Sequence, residues 1–193
     1  MARILIACST VDGHTRKICD HIAERMSATG HAVAVVEIVD GSTVDANAFD
    51  CIIIGASIRY GKHRPNVFEF IDRRRAVLEA KPTAFFTVNV VARKPGKDTP
   101  DGNSYMRKFL EQSKWKPTLL GVFAGKIDYA RYGPVDRTMI RFIMWMTKGP
   151  TDPDTCIEFT DWAAVDRFAD EVSALASTGT STLTSPGASH ATP

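Results

Sequence analysis

Ser9-Thr10-Val11-Asp12-Gly13-His14-Thr15 lies between a short apolar run, Ile4 to Cys8, and a helical pattern with Ile18, Ile22 and Met26 at i, i+4 and i+8. A strand that feeds a polar loop and then a helix aims several unpaired backbone N–H groups at one point. That point is also the positive end of the helix macrodipole, so it suits a phosphate. Gly13 permits close backbone approach, and Ser9, Thr10 and Thr15 can add hydroxyl donors.

What the loop lacks narrows the ligand. It has no G-x-x-x-x-G-K-[ST], which argues against a nucleotide-hydrolysing P-loop, and no G-x-G-x-x-G, which argues against a dinucleotide fingerprint. Hydroxyls without a lysine fit a phosphate that is held and not transferred, as in flavin mononucleotide (FMN). The competing explanation is an ordinary capped first helix, and the loop alone leaves both open.

Outward from this loop, apolar runs alternate with helical patterns. Strands are expected at 3–8, 32–38, 51–56, 83–90 and 119–125. Helices are expected at about 14–28, 66–79, 104–114, 136–147 and 161–176, with a brief turn near 44–48. Cys51-Ile52-Ile53-Ile54 is continuously apolar, as in a parallel strand covered on both faces. Five such strands with helical crossovers predict an α/β fold with a doubly wound parallel sheet. Its ligands bind beyond the carboxyl ends of the strands. Asp161 is expected to cap the last helix, which shows Val165, Phe168, Val172 and Leu175 on one face.

The chain has 193 residues, 44% hydrophobic and 24% charged, with a formal net charge of +2. One soluble domain over residues 1–176 is the expectation, with a basic helical insertion at about 126–153 and a disordered tail at 177–193. Four separated cysteines, Cys8, Cys19, Cys51 and Cys156, suggest neither a metal site nor a disulfide framework. No secretory signal is expected, and a reduced cytosolic setting is the economical reading. Basic residues gather at 93–116 and 129–148; a solvated charged surface explains them more simply than a nucleic-acid partner.

Two further loops suit a flat ligand. Gly55-Ala56-Ser57-Ile58-Arg59-Tyr60-Gly61-Lys62 follows the third strand, with small residues for close approach and Tyr60 to stack on a ring. Asn89-Val90-Val91-Ala92-Arg93-Lys94-Pro95 follows the fourth, and Asn89 can both donate and accept at a flavin pyrimidine edge. Each loop alone reads as a turn or a packed residue; together they converge on one sheet edge. His14, His21, His31 and His63 have no evident partner in the sequence, and His190 falls in the tail.

The chain resembles a known family at Ile54-Gly55-Ala56-Ser57-Ile58-Arg59-Tyr60-Gly61, Val88-Asn89-Val90-Val91-Ala92-Arg93-Lys94-Pro95 and Asn103-Ser104-Tyr105. Ser9 to Gly13, Tyr129-Ala130-Arg131-Tyr132 and Thr160-Asp161-Trp162 add to the likeness, which spans about residues 2 to 176. The family is the menaquinone-dependent protoporphyrinogen IX dehydrogenases, flavodoxin-like enzymes of bacterial haem synthesis. The resemblance implies bound FMN, its phosphate on Thr10, Val11, Asp12, Gly13, His14 and Thr15. Its ring would lie between Ser57, Ile58, Arg59, Tyr60 and Gly61 on one side and Asn89, Val90, Val91, Ala92 and Arg93 on the other. It also implies oxidation of protoporphyrinogen IX to protoporphyrin IX, with menaquinone or another quinone as acceptor. The flavin would carry the chemistry, so no dedicated catalytic side chain is expected.

Arg59, Arg93, Lys94 and Arg131 are then candidates for the substrate propionates. The pattern near 136–147 fits either a membrane-surface anchor, placing the protein peripherally on the cytoplasmic side of the inner membrane, or a helix buried on the sheet. Two rivals remain on sequence grounds. A flavodoxin-type electron carrier would usually be acidic, whereas this chain has a pI near 8.4. An NAD(P)H quinone reductase would reveal itself by rapid flavin bleaching with NADPH. A phospho-acceptor regulator needs an aspartate where Gly55 and Ala56 stand.

Overall fold

The computed structural model describes residues 1–39, 44–128 and 156–181, with side chains to 178, together with Gly133, Thr138, Arg141, Phe142, Trp145 and Asp152. Five parallel strands form the central sheet: β1 (Arg3–Ser9), β2 (Ala32–Glu37), β3 (Cys51–Arg59), β5 (Thr83–Val88) and β6 (Leu119–Phe123), in the order β2-β1-β3-β5-β6. The register runs Ile4 beside Val33 and Cys51, Ile53 beside Ala84, and Phe85 beside Leu120. The chain winds one way from β1 to β2 and the other way from β3 onward. The crevice for a ligand therefore opens between the carboxyl ends of β1 and β3.

Strand periodicity divides the core into two layers. Ile4, Ile6, Ile53 and Phe86 face helices α1 (His14–Ala28) and α5 (Trp162–Ser181), meeting Ile18, Ile22, Val165 and Phe168. Leu5, Ile52, Ile54 and Phe85 face α2 (Pro65–Arg73), α3 (Arg75–Ala80) and α4 (Ser104–Ser113), meeting Val67, Ile71, Phe109 and Trp115. The rings of Phe85 and Phe109 stack at 3.7 Å between centroids. Both faces of the sheet are thus dry, which is why its strands read as apolar runs.

Several boundaries differ from the sequence expectation. The helix expected at 66–79 breaks at Arg74, whose guanidinium reaches the Val44 carbonyl at 3.1 Å. The fourth sheet strand ends at Val88, and Val90–Arg93 form a 3-10 turn. Strand β3 runs to Arg59 and turns back through Tyr60-Gly61 into β4 (Lys62–His63). After β6, β7 (Lys126–Asp128) pairs antiparallel with β8 (Cys156–Glu158). Residues expected to begin the disordered tail, 177–181, instead continue α5. Ser177 and Thr178 donate their hydroxyls to the carbonyls of Ser173 and Leu175. Most of the pattern at 136–147, Arg131 and residues 182–193 lie outside the described residues.

Candidate functional site

A cavity of about 170 Å³ opens at the carboxyl end of the sheet, between the loops after β1, β3, β5 and β6. At one end lies the start of α1. Gly13 adopts φ +83°, and its amide donates to Thr10 Oγ1 at 3.1 Å. Among the described residues no side chain caps the helix, and its first turn carries no acidic residue. The first-turn amides are consequently unclaimed by the described side chains, which suits an anion brought from outside. Arg64 donates to the Thr10 carbonyl at 3.2 Å, and Ser57 Oγ donates to the Ser9 carbonyl at 3.4 Å. These contacts hold the loop against the sheet.

The β3–β4 hairpin forms the second wall. Tyr60 and Gly61 both have positive φ, +50° and +75°, the conformation of a two-residue type I′ turn. Tyrosine is an unusual choice there, since a non-glycine residue in the left-handed region costs roughly 1 kcal/mol. The strain holds an exposed ring at the cleft mouth, with 58% of Tyr60 accessible. Arg59 lies 5.1 Å over that ring and pairs with Asp12 at 3.1 Å, tying the hairpin to the first loop. His63, at the base of the hairpin, is buried against Phe68, Phe85 and Phe109, 3.0 Å from Thr87 Oγ1. Burial pushes its pKa down to about 4.

The third wall is built on two asparagines. Asn103 is fully buried; its Oδ1 accepts from the Tyr105 and Met106 amides, and its Nδ2 donates to the Lys97 carbonyl at 2.8 Å. Asn89 Oδ1 accepts from the Ala92 amide at 3.0 Å and from Asn103 Nδ2 at 3.3 Å. That arrangement fixes which end of the Asn89 amide is which. Asn89 Nδ2 is then a buried donor without an acceptor among the described residues, in a side chain that lines the cleft. Leaving such a donor unpaired costs about 1–3 kcal/mol. Ile58, Val88, Val90, Val91 and Ile127 give the cleft apolar walls.

Most of the expected cofactor residues meet here: Thr10, Asp12, His14 and Thr15; Ser57, Ile58, Arg59, Tyr60 and Gly61; and Asn89, Val90 and Val91. Four do not line the cavity. Val11 is 44% exposed, and Gly13 shapes the loop from behind. Ala92 is buried with its amide committed to Asn89. Arg93 folds back onto the Val90 carbonyl and over the Phe159 ring, because the 3-10 turn reverses the chain before its side chain can reach the cleft. Lys94 does not line the cavity either.

Tyr105, Gly125, Lys126 and Ile127 line the cleft without having been singled out as binding residues. Tyr105 was visible within the Asn103-Ser104-Tyr105 motif. Lys126 was not, because the β7–β8 pairing brings it in. The four described histidines do have partners: His14 with Thr160, His21 with Asp166, His31 with Ser173 and His63 with Thr87. Three of these partners lie 142 to 146 residues away in sequence.

A flavodoxin domain family matches residues 5–154, and the chain belongs to that flavin-binding family. Fold likeness agrees, with a TM-score of 0.52 at 11% identity to a short-chain flavodoxin associated with a non-canonical PDU bacterial microcompartment, covering 93% of this chain and 99% of that one. A WrbA-like flavodoxin from Agrobacterium tumefaciens gives 0.51, also at 11% identity, covering 94% and 99%. Within the family the chain groups with the protoporphyrinogen IX dehydrogenases [quinone]. It is 45% identical over 174 residues to the protein of that name from Leishmania major, covering 90% of this chain and 75% of the relative. To the Escherichia coli K12 protein of the same name it is 41% identical over 173 residues, covering 90% and 96%.

Proposed function

We propose that this chain is an FMN-dependent oxidoreductase that oxidises protoporphyrinogen IX to protoporphyrin IX and passes the electrons to menaquinone or another quinone. Overall, six electrons and six protons leave the porphyrinogen and reduce three quinones to quinols. The observation that carries the cofactor reading is one cleft with unclaimed donors at both ends, the α1 amides and Asn89 Nδ2, and apolar walls between them. A flavin monophosphate has a matching anion, carbonyl edge and flat apolar body. Thr10, Thr15 and the first α1 amides would hold the phosphate, Asn89 the pyrimidine edge, and Tyr60 a face of the ring. When bound, the flavin supplies the electron and hydride transfer.

The protein's part is orientation and charge. Among the described residues, Arg59 and Lys126 are the cations that line the cleft and fit a substrate propionate. Both are already partnered, Arg59 by Asp12 and Lys126 by Asp128 at 3.1 Å, so a propionate would share or displace those carboxylates. Of the candidates named from sequence, Arg59 keeps this role, Arg93 and Lys94 lie off the cleft, and Arg131 is outside the described residues.

The acceptor is a lipid, and the chain has a surface suited to meet one. Phe142 and Trp145 are 57% and 70% exposed, with rings 6.1 Å apart, and Arg141 is exposed beside them. Aromatic rings flanked by a cation fit the headgroup region of a membrane and favour peripheral attachment, on the cytoplasmic side of the inner membrane, over burial on the sheet. No helix among the described residues is long and apolar enough to cross a membrane.

The deciding experiment adds anaerobic protoporphyrinogen to FMN-loaded protein and follows porphyrin fluorescence. Fluorescence that rises only with added quinone supports the proposal. No porphyrin, or equal flavin bleaching by NADPH alone, overturns it.

A further inference from the structure

His14 is the first residue of α1 and lines the same cleft as Thr10, Asp12 and Thr15. Its ring is held by a two-step relay. Thr160 Oγ1 lies 2.8 Å from the Ala124 carbonyl oxygen, which can only accept, so the single hydroxyl hydrogen goes there. The same Thr160 oxygen lies 2.7 Å from His14 Nε2 and must therefore accept from it. Nε2–H is fixed in both charge states of the ring, and any proton gained adds at Nδ1. Nδ1 is the ring nitrogen nearer the main chain, and it bonds to no described residue. It thus belongs to the part of His14 closest to the amides that open α1.

The charges around the ring come from every element packed on it. Lys17 on α1 and Lys126 on β7 disfavour a second proton, and Glu158 on β8 favours one. Lys17 is itself paired with Glu158 at 3.0 Å, and Lys126 with Asp128. Asp12 in the first loop is paired with Arg59, and Asp161 accepts from the Ala164 amide at the start of α5. Trp162 packs at the edge of the ring, with centroids 6.4 Å apart. Burial is the largest influence and holds the His14 pKa below its ordinary value, so the ligand-free ring is neutral near pH 7.

We propose that His14 is a charge-responsive phosphate contact, which takes up a proton at Nδ1 when a flavin monophosphate seats on the α1 N-terminus and so couples cofactor retention to pH. The inference rests on the flavin monophosphate reading above and adds to it a residue role that the helix geometry alone does not require. The phosphate brings close to two negative charges, and a nearby dianion favours the imidazolium. Binding and protonation then strengthen each other, because the proton is held more tightly in the complex than in the free protein.

The test compares the affinity of apoprotein for FMN and for riboflavin from about pH 5.5 to about pH 8.5, in the parent chain and in His14→Gln. Glutamine keeps an N–H donor for Thr160 but cannot titrate. The variant also carries the titration of the FMN phosphate itself, so the ratio of parent to variant dissociation constants isolates the imidazole. That ratio rises with pH for FMN, approaching about tenfold per pH unit between the free and bound pKa values of the ring, and stays level for riboflavin. The imidazole ¹⁵N signals that vanish in His14→Gln shift their titration upward when FMN is added, and not with riboflavin. A level ratio with FMN bound overturns this role for His14 and leaves the cofactor reading intact. Failure to bind FMN at any pH overturns both.

Discussion

Acid should weaken this fold chiefly through His63, the most strongly shifted of its buried histidines, before its carboxylates protonate. The imidazole is 5% exposed, enclosed by Phe68, Phe85 and Phe109, with Thr87 as its hydrogen-bond partner. Its folded-state pKa is lowered to about 4, against an ordinary value near 6.5 in the unfolded chain. Between those values the unfolded state holds a proton that the folded state does not, so stability falls as pH falls. The full gap corresponds to about 3 kcal/mol, of which about 2 kcal/mol is lost between pH 7 and pH 5. Urea denaturation at those two pH values, in the parent and in His63→Gln, measures it, because glutamine removes this titration alone. The parent should lose about 2 kcal/mol more than the variant on acidification. Equal losses would refute the assignment of a neutral, buried imidazole.

Three substitutions test other parts of the account. Tyr60→Gly relieves a left-handed tyrosine and should leave stability unchanged or raise it by up to roughly 1 kcal/mol, while weakening flavin binding through loss of the ring; thermal melting and flavin-fluorescence titration separate the two effects. Asn89→Asp keeps the oxygen that Ala92 and Asn103 use but replaces the unpaired donor by an acceptor; flavin affinity should drop by about ten- to a hundredfold, read by the same titration. Gly55→Ala places a methyl group on the Phe86 ring, with Cε1 and Cε2 at 2.7 and 2.8 Å; calorimetry should show a loss of about 1–3 kcal/mol from overpacking.

The sheet and its first crossover were legible because local signals and tertiary demands agree there. Helix α1 spans His14–Ala28 as its apolar spacing requires, and β1, β2 and β3 start within a residue of the apolar runs that mark them. The hairpin was not legible. A type I′ turn is announced by Asn-Gly or Asp-Gly, and Tyr60-Gly61 carries half of that signal. Lys126 and Ile127 escaped notice because their position depends on pairing with Cys156–Glu158, about thirty residues further along the chain. The histidine partners escaped for the same reason, since Thr160, Asp166 and Ser173 reach α1 and the residues after it from 142 to 146 residues further along the chain. Arg93 was misplaced because charge and proximity in sequence do not reveal the turn at Val90–Arg93 that directs it away.

The central claim is that the cleft clasps a flavin through donors at both ends. Titrating apoprotein with FMN and with riboflavin under calorimetry tests it most directly. The account predicts one FMN per chain and a markedly weaker grip on riboflavin, which lacks the anion for the α1 amides. Equal affinity for the two flavins, or no uptake of either, would contradict it.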